Sequence, residues 1–330
     1  MAFLYEYGLF LAKAATVVLA FAIVVTLIAA SALRGRQPKG QLTVTDLSDG
    51  YQDAQALLQE HLLDKKAYKK WQKQLNSSKA SEQQKRLFVL EFTGSIDAKE
   101  TEALREEVSA ILAVANTEDE VLLKLESGGG VVHGYGLAAS QLNRFKQQNI
   151  PLTIAVDKVA ASGGYMMACV ANKLLAAPFA IIGSIGVIAQ LPNFHKLLKK
   201  NHVDFEQFTA GEFKRTVTLF AENTDKGREK FQQELEETHQ LFKDFVHQQR
   251  PQLDLAKVAT GEHWFGYQAL TLDLVDELTT SDDYLQAAIK ERKVLQVKYQ
   301  LKKGLAEKLG QGSASLFGSL WQKLQDKRWH

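Results

Sequence analysis

The chain has 330 residues, 45% of them hydrophobic and 24% charged, enough for one or two domains with a sizeable core. Its 40 basic and 38 acidic side chains leave a net charge of +2, which gives no argument for a nucleic-acid partner. The lone cysteine, Cys169, excludes an intrachain disulfide, and no metal or cofactor is expected: there is no Cys/His cluster with ligand spacing, no dinucleotide fingerprint and no P-loop.

Ala14 to Leu33 is a 20-residue run without a charge. As a helix it would rise about 30 Å, enough to cross a hydrocarbon core. Ala30-Ser31-Ala32 also fits the cleavage site of a signal peptide, but the run is long for one and only Lys13 supplies positive charge before it. Residues 1–40 are therefore read as a retained membrane anchor. Arg34, Arg36 and Lys39 follow the run and Glu6 precedes it. On its own the positive-inside rule puts the bulk of the chain in the cytoplasm.

Residues 41–85 read as a polar stalk helix and linker. Tyr51 to Gln74 is predicted helical, with Leu57, Leu58, Leu62, Leu63 and Trp71 as a partial apolar face. Lys65, Lys66, Lys69, Lys70 and Lys73 make one side basic, which suits a solvated stalk and would also attract anionic lipid. Asn76 to Ser81 reads as the linker.

From Arg86 onward strands and helices alternate. Strands are predicted at Leu87–Phe92, Val121–Leu125 and Leu152–Val156, with helices at Lys99–Val114, Tyr135–Phe145 and Ser162–Val170. Short strands follow near Lys173–Ala177 and Ile181–Gln190, then a helix at Phe194–Lys200 and a strand at Val203–Phe208. The repeat implies an α/β domain over residues 86–293 with parallel pairing. Asp225 to Gln249 is a long helix with Phe231, Leu235, His239, Phe242 and Val246 near one face; His239 and His247 read as helix surface. Residues 294–330 are read as a strand and a basic amphipathic tail, Ser315–Trp329, suited to packing on protein or lying on a membrane.

Two predicted strands end in glycine-rich turns, Ser127-Gly128-Gly129-Gly130 and Ala161-Ser162-Gly163-Gly164. Each alone is an ordinary strand-to-helix turn. Together they could bring backbone N–H groups close to one serine hydroxyl, the arrangement acyl transfer needs. The serine also needs a base. His133 and His263 lie near glycine-rich loops, but a Ser162–His133 pair has no orienting carboxylate in a recognisable place. Lys214, in Gly211-Glu212-Phe213-Lys214, is the other candidate. A lysine serves only if burial frees its amine near neutral pH, and Phe213, Val217, Leu219 and Phe220 could desolvate it. From the residues alone the plain reading of Lys214 is a surface lysine. Cys169, in an apolar run, reads as a core thiol.

Taken together, Ser127–Gly130, Ala161–Tyr165, Ile182-Gly183-Ser184-Ile185-Gly186-Val187 and Gly211–Lys214 resemble the signal peptide peptidase A family. His133–Ser140 and Thr260-Gly261-Glu262-His263-Trp264 extend the likeness to a single-domain, inner-membrane member. The resemblance implies a ClpP/crotonase-like fold and a cofactor-free serine endopeptidase with a Ser/Lys dyad, acting on unfolded proteins or remnant signal peptides. It makes Ser162 the nucleophile and Lys214 the base, 214 − 162 = 52 residues apart, with Ser184 orienting the lysine and Gly129 and Gly163 donating to the oxyanion. It also implies small or apolar substrate side chains, a single-pass bacterial inner-membrane protein facing the periplasm, and a homo-oligomeric, octameric ring whose neighbouring subunits complete the dyad. One departure is Gly128, where the family usually has proline; glycine loosens that turn. The rival functions are a crotonase-type acyl-CoA enzyme and a catalytically silent membrane scaffold.

Overall fold

In the computed structural model, residues 5, 7–11, 13–18, 20–21, 40–78 and 85–300 are described. Of the apolar run Ala14–Leu33 only 14–18, 20 and 21 fall among them, and the tail Ser315–Trp329 lies outside. The described residues between Tyr5 and Phe21 are helical. Among the described residues no helix is long and apolar enough to cross a membrane.

The elements run β1 (Gln41–Asp46), α1 (Leu47–Leu62), α2 (Lys65–Ser78), β2 (Arg86–Thr93), α3 (Thr101–Leu112), β3 (Glu120–Glu126), α4 (Val132–Gln147), β4 (Leu152–Val156), β5 (Val159–Ala161), α5 (Gly163–Ala168) and β6 (Lys173–Ala176). Then come β7 (Ile181–Gly183), α6 (His195–Lys200), α7 (Asp225–Gln249), α8 (Leu255–Val258), β8 (His263–Phe265), α9 (Gly266–Thr271), β9 (Glu277–Leu278), α10 (Ser281–Ala288) and β10 (Lys293–Gln300). A seven-stranded sheet has the order β1-β10-β2-β3-β4-β6-β9. The pairs from β10 through β9 are parallel, as the alternating pattern requires.

Side-chain alternation explains why these strands are apolar throughout. Phe88, Leu90 and Phe92 of β2 join Val121, Leu123 and Leu125 of β3 in one buried cluster; Leu87, Val89 and Leu122 face the other way into a second. Helix α3 covers the first face with Leu104, Val108 and Ile111, and α4 with Tyr135, Ala138, Leu142 and Phe145, both at helical spacing. Leu285 of α10, with Leu47 at the start of α1, covers the second. The sheet thus takes in strands on both sides of the 86–293 segment.

Three expectations fail locally. The stalk is two helices, broken at Leu63–Asp64, because the Asp64 carboxylate caps α2 by accepting from Lys66 N (2.9 Å) and Ala67 N (2.8 Å). Of Ile181–Gln190 only Ile181–Gly183 is strand; the chain turns out at Gly183, where φ is +100°. Val203–Phe208 is not a strand: its alternation is strand-like, but it has no ladder partner among the described residues and leaves Phe208 89% exposed.

Candidate active site

The site is built on a small second sheet of order β5-β7-β8. β5 and β7 run parallel with Ala161 opposite Gly183. The residues that follow are Ser162 and Ser184, so the register sets the two serines side by side at the ends of paired strands. Ser162 N donates to Gly183 O at 2.8 Å, and Ser184 N donates to Glu262 O at 2.7 Å. A parallel bridge from Ser127 to Ala160 fastens the turn after β3 to β5.

Both serines are strained. Ser162 has φ 52° and ψ −119°, and Ser184 has φ 51°. Non-glycine residues are uncommon there, and each such residue costs about 1–3 kcal/mol. The surroundings over-determine Ser162: its N–H goes to Gly183 and its carbonyl accepts from Met166 N at 3.0 Å at the start of α5. Such a turn lifts a side chain off the end of a strand.

Ser162 and Ser184 line one open cleft of about 730 Å³, together with Gly128, Gly129, Gly130, Gly186, His239 and Gly261. A side chamber of about 80 Å³ opens beside Ser162, walled by Val132, Met166, Ile188 and Phe242. The Gly163 N–H begins α5 and has no intrahelical acceptor. The Gly130 N–H also has no acceptor among the described residues. Gly129 differs: its N–H donates to Ser127 Oγ at 3.0 Å. Its Cα faces the elbow, since a Cβ there would lie 2.7 Å from Ala161 O and 2.8 Å from Ser162 Cβ.

Family models decide what this geometry belongs to. The model for "Peptidase family S49 N-terminal" matches residues 2–142, and that for "Peptidase family S49" matches residues 144–295. The chain belongs to peptidase family S49. Its relatives within the family include Probable protease SohB of Haemophilus influenzae, 55% identical over 321 residues, covering 92% of this chain and 91% of the relative. Proteins of the same name from two Buchnera aphidicola subspecies are also similar. That of Acyrthosiphon pisum is 58% identical over 224 residues (68% of this chain, 67% of the relative). That of Schizaphis graminum is 48% identical over 307 residues (89% of each).

Of the site residues predicted in this S49 chain, the fold brings together Ser162, Ser184, Gly129 and Gly163. Lys214 is not among the residues lining either cavity. It is exposed, in a turn closed by its own N–H to Gly211 O at 3.2 Å, and its side chain has no hydrogen bond or ion pair among the described residues. Its neighbours are held elsewhere: Glu212 pairs with Lys226, and Phe213 lies under Lys226 and Lys230. Of the desolvating shell expected from Phe213, Val217, Leu219 and Phe220, the two phenylalanines are open, at 42% and 40% exposure, while Val217 and Leu219 are half-buried.

His239, read from sequence as helix surface, is instead the one ionisable side chain among the residues lining the cleft. Its Nε2 lies 3.2 Å from Ile185 O; a carbonyl only accepts, so Nε2 carries the hydrogen. Helical spacing told which side of α7 His239 is on, but not that the loop after Ser184 packs against that side. Cys169 is a core thiol: it is fully buried, burial pushes it up to about 12, and its Sγ contacts Met166 O at 3.3 Å.

Proposed function

We propose that the chain is a serine endopeptidase in which Ser162 forms an acyl-enzyme, with unfolded proteins or remnant signal peptides as substrates. The observation that carries this reading is the elbow: a strained serine at a strand end, lining a peptide-sized cleft, next to amides with no acceptor among the described residues. Ser162 Oγ attacks the scissile carbonyl and gives its proton to a base. The carbonyl oxygen becomes an oxyanion, and the amides of Gly163 and Gly130, which have no acceptor among the described residues, are the donors at hand. Collapse expels the amine with that proton, and water then hydrolyses the ester. The small side chamber, walled in part by Val132, Met166, Ile188 and Phe242, suits a small substrate side chain. A ClpP/crotonase-like assignment fits the parallel sheet with a second small sheet at the site.

For the base, the reading keeps Lys214, delivered by a neighbouring subunit of a ring. Its exposure without a partner among the described residues, with Phe208 and Phe213 near it in the chain, is what such a docking surface needs. In that assembly Ser184 would orient the arriving amine. A second reading is favoured by one observation: His239 shares the cleft with Ser162 within one chain. Two substitutions decide. Under the lysine reading Lys214→Arg is as inactive as Lys214→Ala, because guanidinium stays protonated at any working pH. His239→Ala then keeps a pH–rate profile that rises with pH. Under the histidine reading His239→Ala abolishes turnover and Lys214→Arg is tolerated.

The anchor at residues 1–40 and the bacterial inner membrane belong to the same proposal. The flanking charges favour a cytoplasmic catalytic unit and the family resemblance a periplasmic one. A protease added to sealed inverted vesicles would decide: it cuts residues 42–299 only if they are cytoplasmic.

A further inference from the structure

The Gly129 N–H is the first link of a buried chain. It donates to Ser127 Oγ at 3.0 Å; Ser127 Oγ lies 2.5 Å from Tyr135 Oη; Tyr135 Oη donates to Ser95 O at 2.8 Å. Chemistry fixes its direction. The Ser95 carbonyl can only accept, so the single phenolic hydrogen of Tyr135 goes there. The Ser127 hydrogen therefore goes to Tyr135 Oη. That leaves the lone pairs of Ser127 Oγ for the Gly129 N–H. Three bonds run one way, and both hydroxyl side chains are buried, Ser127 at 2% and Tyr135 at 0% exposure.

The same pair supports both turns that flank Ser162. A Cβ on Gly163, the residue after the serine, would lie 2.5 Å from the Tyr135 ring. A Cβ on Gly164 would collide with the Ser127 carbonyl, and one on Gly94 with Tyr135 Oη. Glycine at these positions lets the backbone close onto Ser127 and Tyr135. Neither side chain lines the cleft.

We infer that Ser127 and Tyr135 are positioning residues of the oxyanion hole. Ser127 Oγ holds Gly129 at φ +86° and so sets the plane of the next peptide, whose N–H, on Gly130, has no acceptor among the described residues and lies at the cleft wall. Tyr135 fixes the direction of the Ser127 hydroxyl and backs Gly163. The inference rests on the reading of Ser162 as the acylated serine.

The test uses the full chain in detergent, with two readouts: steady-state cleavage of an internally quenched peptide, and the rate of labelling by a fluorophosphonate, which forms a tetrahedral adduct using the same donors. Ser127→Ala should lower kcat and the labelling rate together by about 10- to 100-fold, with KM within about twofold. The shape of the pH–rate profile should persist, since the base is untouched. Tyr135→Phe should lose less, about 3- to 10-fold. The double variant should be no worse than Ser127→Ala alone, because both act through one chain. Wild-type kcat in Ser127→Ala, a loss confined to KM, or losses that multiply in the double variant would each overturn the inference. If Ser127→Ala does not fold, as judged by its melting curve, wild-type kcat and labelling in Tyr135→Phe overturn it alone. Failure of the underlying reading looks different: wild type is then unlabelled, or Ser162→Ala is labelled as fast as wild type.

Discussion

Ser184 is the residue whose role geometry and chemistry constrain most sharply after Ser162. Its N–H is tied to Glu262 O at 2.7 Å, while its Oγ makes only a long 3.4 Å contact with Gly261 O. The hydroxyl is thus weakly held, and Ser184 lines the same cleft as Ser162. A serine kept at φ 51° when glycine would be easier implies a use for that hydroxyl. If it orients the base, Ser184→Ala should lower kcat by about 10- to 1000-fold with little change in KM. Unchanged turnover would make it a turn residue. Ser162 was legible in the sequence because only small residues surround it between a strand and a glycine pair. The roles given to Ser184 and Lys214 rest only on the family resemblance, since neither carries a local signal. The Gly129 donation to Ser127 was not legible, because no sequence pattern says which way an amide points.

At the scale of elements, one ion pair made by a buried arginine ties together parts far apart in the chain. Arg250, at the C-terminal end of α7, is 3% exposed and pairs with Asp276 at 2.6 Å, just before β9. Asp276 also accepts from Leu174 N of β6 at 2.6 Å. Burial alone raises the Asp276 carboxyl, but the Arg250 and Leu174 bonds outweigh it and leave the group below its ordinary value. Asp276→Ala leaves the buried Arg250 side chain with only its bond to Asp273 O among the described residues and should cost about 1–3 kcal/mol, read by denaturant unfolding. A depressed carboxyl stabilises the fold above its unfolded pKa, near 3.9, and loses that contribution as pH falls through the folded value. The gap between wild type and Asp276→Ala should therefore narrow below about pH 4. A gap independent of pH from about 7 down to 2 would contradict this account. The long apolar strands β2, β3 and β4 were legible because burial on both faces leaves an unbroken apolar run. The three-residue strands β5 and β8 were not, since three residues carry no period. Val203–Phe208 misled for the opposite reason: it has the period and lacks the partner, and partners are non-local.

For the whole molecule, the stretch between α6 and α7 is the part to which the proposed ring assigns a partner. Val203, Phe205, Phe208, Phe213 and Phe220 are all at least 40% exposed, and Lys214 stands among them. A ring in which this stretch covers the neighbour's cleft would bury the apolar surface and bring Lys214 to Ser162 in one step. It would also leave a single chain inactive. Subunits carrying Ser162→Ala and subunits carrying Lys214→Ala should then regain activity when mixed, because some interfaces join an intact Ser162 to an intact Lys214. No recovery in a mixture shown to co-assemble would place the base within the same chain as the serine.

The claim on which all of this stands is that Ser162 is the nucleophile, and it can be measured directly. The folded protein is treated with a fluorophosphonate probe, digested, and the adduct located by mass spectrometry. The account predicts one adduct, on Ser162, with labelling and peptide cleavage both absent from a folded Ser162→Ala variant. An adduct on another residue, or cleavage by Ser162→Ala at the wild-type rate, would contradict it.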